Sequence, residues 1–479
     1  MSPVFVGGII LSYFLLLIVI SWLTSRNATD SDFYNANRQS PWYLVAFGMI
    51  GASLSGVTFI SVPGEVGNSN FYYFQVVIGY LLGYFVIAKV LLPLYYRLNL
   101  VSIYSYLEQR FGFWSYKSGA FFFLLSRIVG SSFRLFLVAS VLQISFFDAF
   151  NFPFWVSVLV TIVLIWLYTF QGGIKTIVWT DTLQTAFMIA SVVISIVFVT
   201  NELDWSFSEM IGHIAEDERS NIFNWEWQSG RNFFKQFFAG AFIAIVMTGL
   251  DQDMMQKNLT CRSLADAQKN MFWFCIILVI VNFLFLCMGL LLFQYSEAIG
   301  VSIPSRTDFL FPELAINHFS TLGAVVFLLG ITAAAYSSAD SALTALTTSF
   351  CVDFLGFSPK NYRQKKTLRK LVHLGFSFVL FLVILVFQAI NDQSVITAVF
   401  VAAGYTYGPL LGLFALGIFT KYDLRDELVP VICLLSPVIS YIININSESW
   451  LGGYKFGFEI LILNGLLTFI GLLLIRKKG

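Results

Sequence analysis

Charged residues are scarce in this chain. They make up 11% of its 479 residues, whereas soluble domains carry about 25%. Hydrophobic residues reach 58%, and they fall in runs of about 20, the length that a helix needs to cross a bilayer. The composition therefore predicts an all-helical protein that crosses a membrane many times, and it excludes a soluble domain of any size.

Cysteine, histidine and excess charge are also nearly missing. The five cysteines show no C-x-x-C spacing and the three histidines are scattered, so neither a disulfide framework nor a metal site of the zinc type is predicted. The net charge of +1 gives no electrostatic basis for binding nucleic acid. No histidine accompanies the hydroxyls of the polar spans, which argues against a hydrolytic enzyme.

Thirteen apolar runs are candidate spans. They are centred on residues 4–23, 42–62, 72–95, 117–146, 153–170, 178–200, 236–255, 271–294, 323–352, 371–390, 395–419, 428–443 and 457–475. With the N-terminus outside and the C-terminus inside, most of the 28 Lys and Arg fall in inside loops, as the positive-inside rule requires. The basic segment 358–370 is then expected to lie near anionic lipid headgroups.

One candidate span carries an unusual number of oxygen atoms. Its segment TAAAYSSADSALTALTTSF places Ala334, Ser337 and Ser341 on one helical face, with Asp340 beside them. Small and hydroxyl residues alone would suit close helix packing. A carboxylate at mid-membrane costs about 2.5–3.5 kcal/mol, so Asp340 indicates a site. Oxygen-rich clusters of this kind suit a hard cation such as Na+.

Two other spans contain signs of a break. The second span holds Gly51, Ser53 and Ser55 among other poor helix formers, which predicts unwound backbone at mid-membrane beside a cavity. The seventh span, FAGAFIAIVMTGLDQDMMQ, is interrupted in a similar way. Two interrupted spans separated by about five helices indicate an inverted-repeat transporter.

Three further ionisable residues fall in or next to spans. Asp181 begins the sixth span, where it either lies at the membrane interface or faces the hydroxyl-bearing helical face that includes Ser337. Arg134 lies within the fourth span, and its expected anionic partner is either a structural carboxylate or the carboxylate of a transported solute. Arg127, one or two turns away, is expected closer to a membrane interface.

The chain resembles the sodium/solute symporter family in five segments that keep the family's order: VPGEVG, LPLYYRLNLVSIYSYLEQRFG, GGIKTIVWTDTLQT, GLDQDMMQKNLTC and AYSSADSALTALTTSF. The resemblance implies a LeuT-like inverted repeat of five plus five helices. The repeats are expected at 42–200 and 236–419, with one extra helix at 4–23 and two more at 428–475. It also implies a monomer that imports a small solute with Na+, and the compact length predicts a bacterial inner membrane protein.

The resemblance further implies which residues bind Na+. The first site would use two carbonyls of the broken span and three residues of the hydroxyl-rich span, namely Gly51, Leu54, Ala334, Ser337 and Ser338. A second Na+ site would use Asp181 with Ser337, Ser341 and Asp340. Related members carry Ser at the Asp340 position, so this carboxylate either strengthens the site or binds a proton.

The solute is inferred from two comparisons within the resemblance. Positions that bind sugar in sugar-carrying members are Ala244, Met247 and Phe400 here, and apolar side chains leave sugar hydroxyls unpaired. Sialic acid carriers hold their substrate with a hydroxyl cluster and an Arg, which Ser53, Ser55, Thr58 and Arg134 resemble, with Gln75 as a weaker candidate. The predicted solute is therefore an organic anion such as a carboxylate or sialic acid.

The alternatives are a symporter of neutral sugar or another solute, a transporter-like sensor and a channel. A channel needs a continuous polar pore, whereas the polar residues here cluster at mid-depth. A sensor needs an output domain, which these 479 residues do not include.

Overall fold

The structure, a computed structural model, describes residues 3–25, 40–100, 102–169, 174–357, 366–391 and 393–477. Within these ranges the regular structure is helical and no strand is formed. The side chain of Asp340 lies outside the described residues, although its backbone is part of a helix. The predicted all-helical fold class is confirmed.

The helices are numbered here in chain order. They are α1 Pro3–Ser25, α2 Trp42–Ser53, α3 Gly56–Ser69, α4 Tyr73–Val86, α5 Leu92–Leu98, α6 Ser105–Arg110, α7 Phe113–Leu142, α8 Phe154–Thr169, α9 Ile174–Glu202, α10 Phe207–Glu216, α11 Phe233–Ala244, α12 Gln252–Asn258, α13 Leu264–Ala298, α14 Leu310–Asn317, α15 Thr321–Ser349, α16 Lys366–Ile390, α17 Val395–Thr406, α18 Gly408–Phe419, α19 Val429–Ile445, α20 Ser447–Trp450 and α21 Ile460–Leu474. Five-residue π-helical turns follow α4, α7, α11 and α15.

The described residues contain eight helical stretches that are long and apolar enough to cross a membrane. Two bent pairs, α11 with α12 and α17 with α18, raise that number to ten, and α2, α8 and α21 are shorter apolar helices. Each of the thirteen predicted spans coincides with one of these helices or with a broken or bent pair. Hydropathy therefore located the apolar helices, because a segment buried in a bilayer must satisfy its backbone by forming a helix.

Both predicted breaks are present. The first lies between α2 and α3, where Leu54 leaves the helical region with φ −81° and ψ 79° and Ser55 is extended. The second lies between α11 and α12, which are bent by 71°. There the Asp251 carboxylate accepts hydrogen bonds from the backbone N–H groups of Asp253 and Met254 and so begins α12. The breaks fall in the second and the seventh of the predicted spans.

Close contacts between helices pack the elements around these breaks. A Cβ atom on Gly240 of α11 would lie 2.0 Å from the Val76 carbonyl oxygen of α4, and one on Gly79 would lie 2.0 Å from the Phe237 carbonyl oxygen. The backbones of α4 and α11 therefore touch, as is common for glycine in membrane helix pairs. A similar contact joins α9 to α15, where the Ser191 hydroxyl donates to the Val326 carbonyl at 2.9 Å.

Candidate ion and solute sites

A cavity lies beside the break between α2 and α3. Ser53, Ser55 and Thr58 line it from the break and the helix that follows, and Arg134 lines it from α7. Unwound backbone is tolerated at membrane depth where it borders such a cavity. The structure thus brings together four of the five predicted solute ligands.

Gln75 is the predicted solute ligand that the structure does not bring to the cavity. It is fully buried, and its amide donates to the carbonyls of Tyr72 and Arg231, each at 3.1 Å. Its Oε1 accepts from the Asn224 N–H at 3.2 Å. Because these backbone groups occupy the side chain, Gln75 fastens the loop between α10 and α11 to α4 instead of facing the solute.

Arg134 is distinguished by its lack of a partner. Among the described residues it forms no hydrogen bond and no ion pair within 4.0 Å. An arginine inside a membrane protein normally pairs with an anion or a carbonyl group. Its guanidinium therefore remains available to an anion that enters the cavity.

Arg127 lies in the same cavity wall but is paired. It forms ion pairs with Asp251, at 3.5 Å, and with Asp253, and the Tyr407 hydroxyl donates to Asp251 at 3.0 Å. Arg127, which was expected closer to a membrane interface than Arg134, is thus buried and held by two carboxylates at the second helix break. By the predicted topology, this network closes the cytoplasmic side of the cavity.

A second network lies on the opposite side. Glu65 of α3 pairs at 3.1 Å with Arg231 of the loop 217–232, which the predicted topology puts outside and which is called the outside loop here. Glu65 also accepts a hydrogen bond from Ser394, just before α17, at 3.0 Å. Beneath it, the rings of Tyr73 and Phe400 stack with centroids 6.2 Å apart. Tyr73 lines both this cavity and a second cavity next to Glu65 and Arg231. The stacked rings therefore lie between the two cavities.

Asp308, in the loop between α13 and α14, strengthens the outer network. Its carboxylate accepts a hydrogen bond from the Val395 N–H at the start of α17 at 2.9 Å. Burial raises the pKa of this carboxyl to about 6, against the opposing effects of the Val395 and Ser61 donors. The loop and α17 are thus held together next to Glu65.

The carbonyls of Gly51 and Leu54 lie where the helical ladder is interrupted. The last bond of α2 runs from the Leu54 N–H to the Ile50 carbonyl, and the next runs from the Phe59 N–H to the Ser55 carbonyl. No backbone N–H of a described residue bonds to the carbonyls of Gly51 or Leu54. Two backbone oxygens at this break are therefore available to a cation.

The facing residues of α15 complete this group of oxygens. Ala334, Ser337 and Ser338 are buried. The Ser337 Oγ has no hydrogen-bond partner of normal geometry among the described residues, and a Cβ atom on Gly51 would lie 3.3 Å from it. The Ser338 hydroxyl donates to the Ala335 carbonyl at 3.1 Å, which leaves its oxygen able to accept. Oxygen atoms without donors are what a hard cation requires, so these residues fit Na+.

Two of the residues predicted for a second Na+ site, Asp181 and Ser341, meet at a lysine. The Lys257 Nζ lies 2.9 Å from Asp181 Oδ2 and 2.8 Å from the Ser341 hydroxyl oxygen. Asp181 is buried, so it is not interfacial, and its other oxygen faces Ser337. Sequence reasoning missed Lys257 because it treated the residue as part of an inside loop. Its spacing of four residues from Asp253 on α12 was the available signal.

Comparison with known proteins defines the class to which this chain belongs. The model of the sodium:solute symporter family matches residues 33–422. The chain belongs to this family of sodium-coupled transporters, and it is a multi-pass membrane transporter and not an enzyme. Its transported species are a small solute and Na+.

Individual relatives agree with this assignment. The chain is 26% identical to the sodium/sialic acid symporter SiaT of Proteus mirabilis over 424 residues, which cover 85% of this chain and 82% of that one. It is 24% identical to the sodium/sialic acid symporter NanT of Aliivibrio fischeri, covering 87% and 83%. It is 25% identical to the mouse sodium-coupled monocarboxylate transporter 1, covering 82% and 65%.

Solved structures share the fold. The structure of a Na+-coupled sialic acid symporter in a substrate-bound outward-open state superposes with a TM-score of 0.81 at 20% identity, covering 99% of each chain. Mhp1, a nucleobase-cation-symport-1 family transporter, gives 0.53 at 14% identity, covering 91% and 92%. The predicted LeuT-like fold class is confirmed.

Proposed function

We propose that this chain imports a small organic anion, such as a carboxylate or sialic acid, together with Na+. The observation that carries the proposal is Arg134, a cavity-lining guanidinium without an ion pair among the described residues. Arginine binds carboxylates through two parallel hydrogen bonds. The hydroxyls of Ser53, Ser55 and Thr58 in the same cavity are placed to bind the remaining polar groups of such a solute.

One part of the cavity wall favours an acid over a hexose. Ala244, Met247 and Phe400, the positions that the resemblance aligns with sugar ligands, lie in this part of the lining. These side chains have no hydrogen-bond donor and, apart from the weakly accepting Met247 sulfur, no acceptor, so sugar hydroxyls that faced them would lose their partners. Relatives that are named sialic acid or monocarboxylate symporters are consistent with this choice of solute.

Coupling follows from the position of the break. Gly51 and Leu54 would bind Na+ from α2, and Ala334, Ser337 and Ser338 would bind it from α15. Binding would therefore fix the break against α15 and set the conformation of the adjacent cavity wall. If Na+ favours solute binding in this way, the solute must favour Na+ binding by the same factor.

Alternating access would use the two networks that bound the cavity. Separation of Glu65 from Arg231, together with opening of the Tyr73–Phe400 stack, would admit solute from outside. Separation of Arg127 from the second helix break would release it inside. Each charge moved inward gains about 2.3 kcal/mol per 100 mV of membrane potential.

The organisation of the chain is part of the proposal. Residues 42–200 and 236–419 are the two inverted repeats, and the segments 4–23 and 428–475 are accessory helices. We assign the chain to the inner membrane of a bacterium, in contact with lipid, where it works as a monomer. The bacterial sialic acid symporters among its relatives support this location.

Uptake into proteoliposomes tests the solute class. The probes are sialic acid, short monocarboxylates, pantothenate and glucose, each with an inward Na+ gradient. We expect Arg134→Ala to raise the KM for the transported acid about 10-fold or more, because a hydrogen bond to a charged group contributes about 1.5–3 kcal/mol. Arg219→Ala, which removes a cation paired with Asp217 just after α10 and with Glu297 at the end of α13, is the matched control. Uptake of glucose that Arg134→Ala leaves unchanged would refute the anion assignment but not the family.

A further inference from the structure

Lys257 occupies an unusual position for a lysine. It lies on α12 with 2% of its side chain exposed and is among the largest fully buried side chains of the molecule. Lysine is almost never fully buried unless it is paired. Here the contacts of the ammonium include Asp181 at 2.9 Å, Ser341 at 2.8 Å and Asp253 at 4.0 Å.

The partners of Lys257 come from three different parts of the molecule. Asp181 lies on α9, Ser341 lies on α15, and Asp253 shares α12 with the lysine. The ammonium therefore links α9, α12 and α15, which belong to the sixth, seventh and ninth predicted spans. A bound cation coordinated by a carboxylate and a hydroxyl would join the same elements in the same way.

Asp181 links this point to the first Na+ site. One of its carboxylate oxygens holds Lys257, whereas the other faces Ser337 and has no hydrogen-bond partner of normal geometry among the described residues. The backbone of Asp181 also lies close to Gly51, since a Cβ atom there would be 3.2 Å from the Asp181 carbonyl oxygen. The lysine and a Na+ bound at Ser337 would thus share one carboxylate.

We propose that the Lys257 ammonium takes the place of a second sodium ion, so that the chain moves its solute with a single Na+. This inference rests on the proposed function, because it assigns the first site to Na+. A second Na+ at Asp181 and Ser341 would have to share their oxygens with a like charge that cannot diffuse away. Lys257 then does permanently what a second ion would do only on binding: it holds α9, α12 and α15 together.

Sodium binding to the purified protein tests this without any solute. Isothermal titration with NaCl, in a choline buffer, counts the ions bound by each chain. We expect one Na+ in the wild type and two in Lys257→Ala, with the Hill coefficient for Na+ rising from about 1 toward 2. Lys257→Arg keeps the positive charge and should still bind one. Size-exclusion profiles and melting curves establish that each variant is folded.

A double variant separates the two sites. Lys257→Ala combined with Ser337→Ala should retain one Na+, at Asp181 and Ser341, whereas Ser337→Ala alone should weaken the single Na+ site of the wild type.

Two ions bound to the wild type, or a single ion bound to folded Lys257→Ala, would overturn the inference. If Lys257→Ala does not fold, the wild-type count alone decides. No Na+ bound to the wild type would instead refute the proposed function, which distinguishes the two failures.

Discussion

At the scale of single residues, the cavity wall and the helices next to it are organised by how three cations are compensated. Arg127 has two carboxylates and Lys257 has Asp181, whereas Arg134 forms no ion pair with any described residue. Buried ion pairs contribute little net stability, since desolvation offsets most of their attraction. Their retention here is better explained by function: two of the cations hold helices in place and the third faces the solute.

A single hydroxyl is expected to decide Na+ affinity. Ser337→Ala removes an oxygen that has no hydrogen-bond partner of normal geometry. We expect the Na+ concentration for half-maximal uptake to rise about 10-fold, because the lost contact between ion and hydroxyl is comparable in strength to a hydrogen bond to a charged group. Ser440→Ala is the matched control, because that buried hydroxyl only donates to Ser436 of its own helix. Equal shifts in the two variants would show that Ser337 is not a Na+ ligand.

Local spacing accounts for what could be predicted at this scale. Ala334, Ser337 and Ser341 were placed on one face because helical periodicity is the same wherever the helix packs. The partners of Lys257 and Gln75 could not be placed in this way. Both have long side chains whose direction is set by contacts with distant elements, α9 for the lysine and the outside loop for the glutamine.

At the scale of helices, breaks and close contacts matter more than length. Glycine and serine at the first break weaken the helix there, and Gly51 at this break lies against Ser337 of α15. These breaks were foreseeable because poor helix formers are conspicuous in an apolar run. The pairing of α4 with α11 was not foreseeable, since a glycine in a span does not reveal which neighbour approaches it.

This helix contact gives a prediction of stability. Gly240→Ala would place a methyl group 2.0 Å from the Val76 carbonyl oxygen, and because backbone cannot move aside as a side chain can, we expect a loss of about 1–3 kcal/mol. It should appear as a lower Tm and slower uptake. Gly130→Ala is the control, because nothing lies within 4 Å of that added methyl in the interior of α7. A variant Gly240→Ala that melts with the wild type would mean that α4 and α11 are less closely packed than described.

At the scale of the whole molecule, the cavity lies between two polar networks. The outer one joins α3, the outside loop and α17 through Glu65, and the inner one joins α7 to the second broken span through Arg127. The break that borders the cavity also carries the oxygens proposed for Na+. Ion and solute would therefore act on the same few residues of backbone, which is the physical basis proposed for their coupling.

The most direct test of this account is the response of acid uptake to a Na+ gradient. Proteoliposomes containing the wild type are loaded with choline and exposed to radiolabelled sialic acid or a short monocarboxylate, with either Na+ or choline outside. The account predicts accumulation above the external concentration with Na+ outside, and only equilibration with choline. Equal uptake of every acid under both conditions, by protein that is folded and inserted, would contradict the proposed coupling of Na+ to an organic anion.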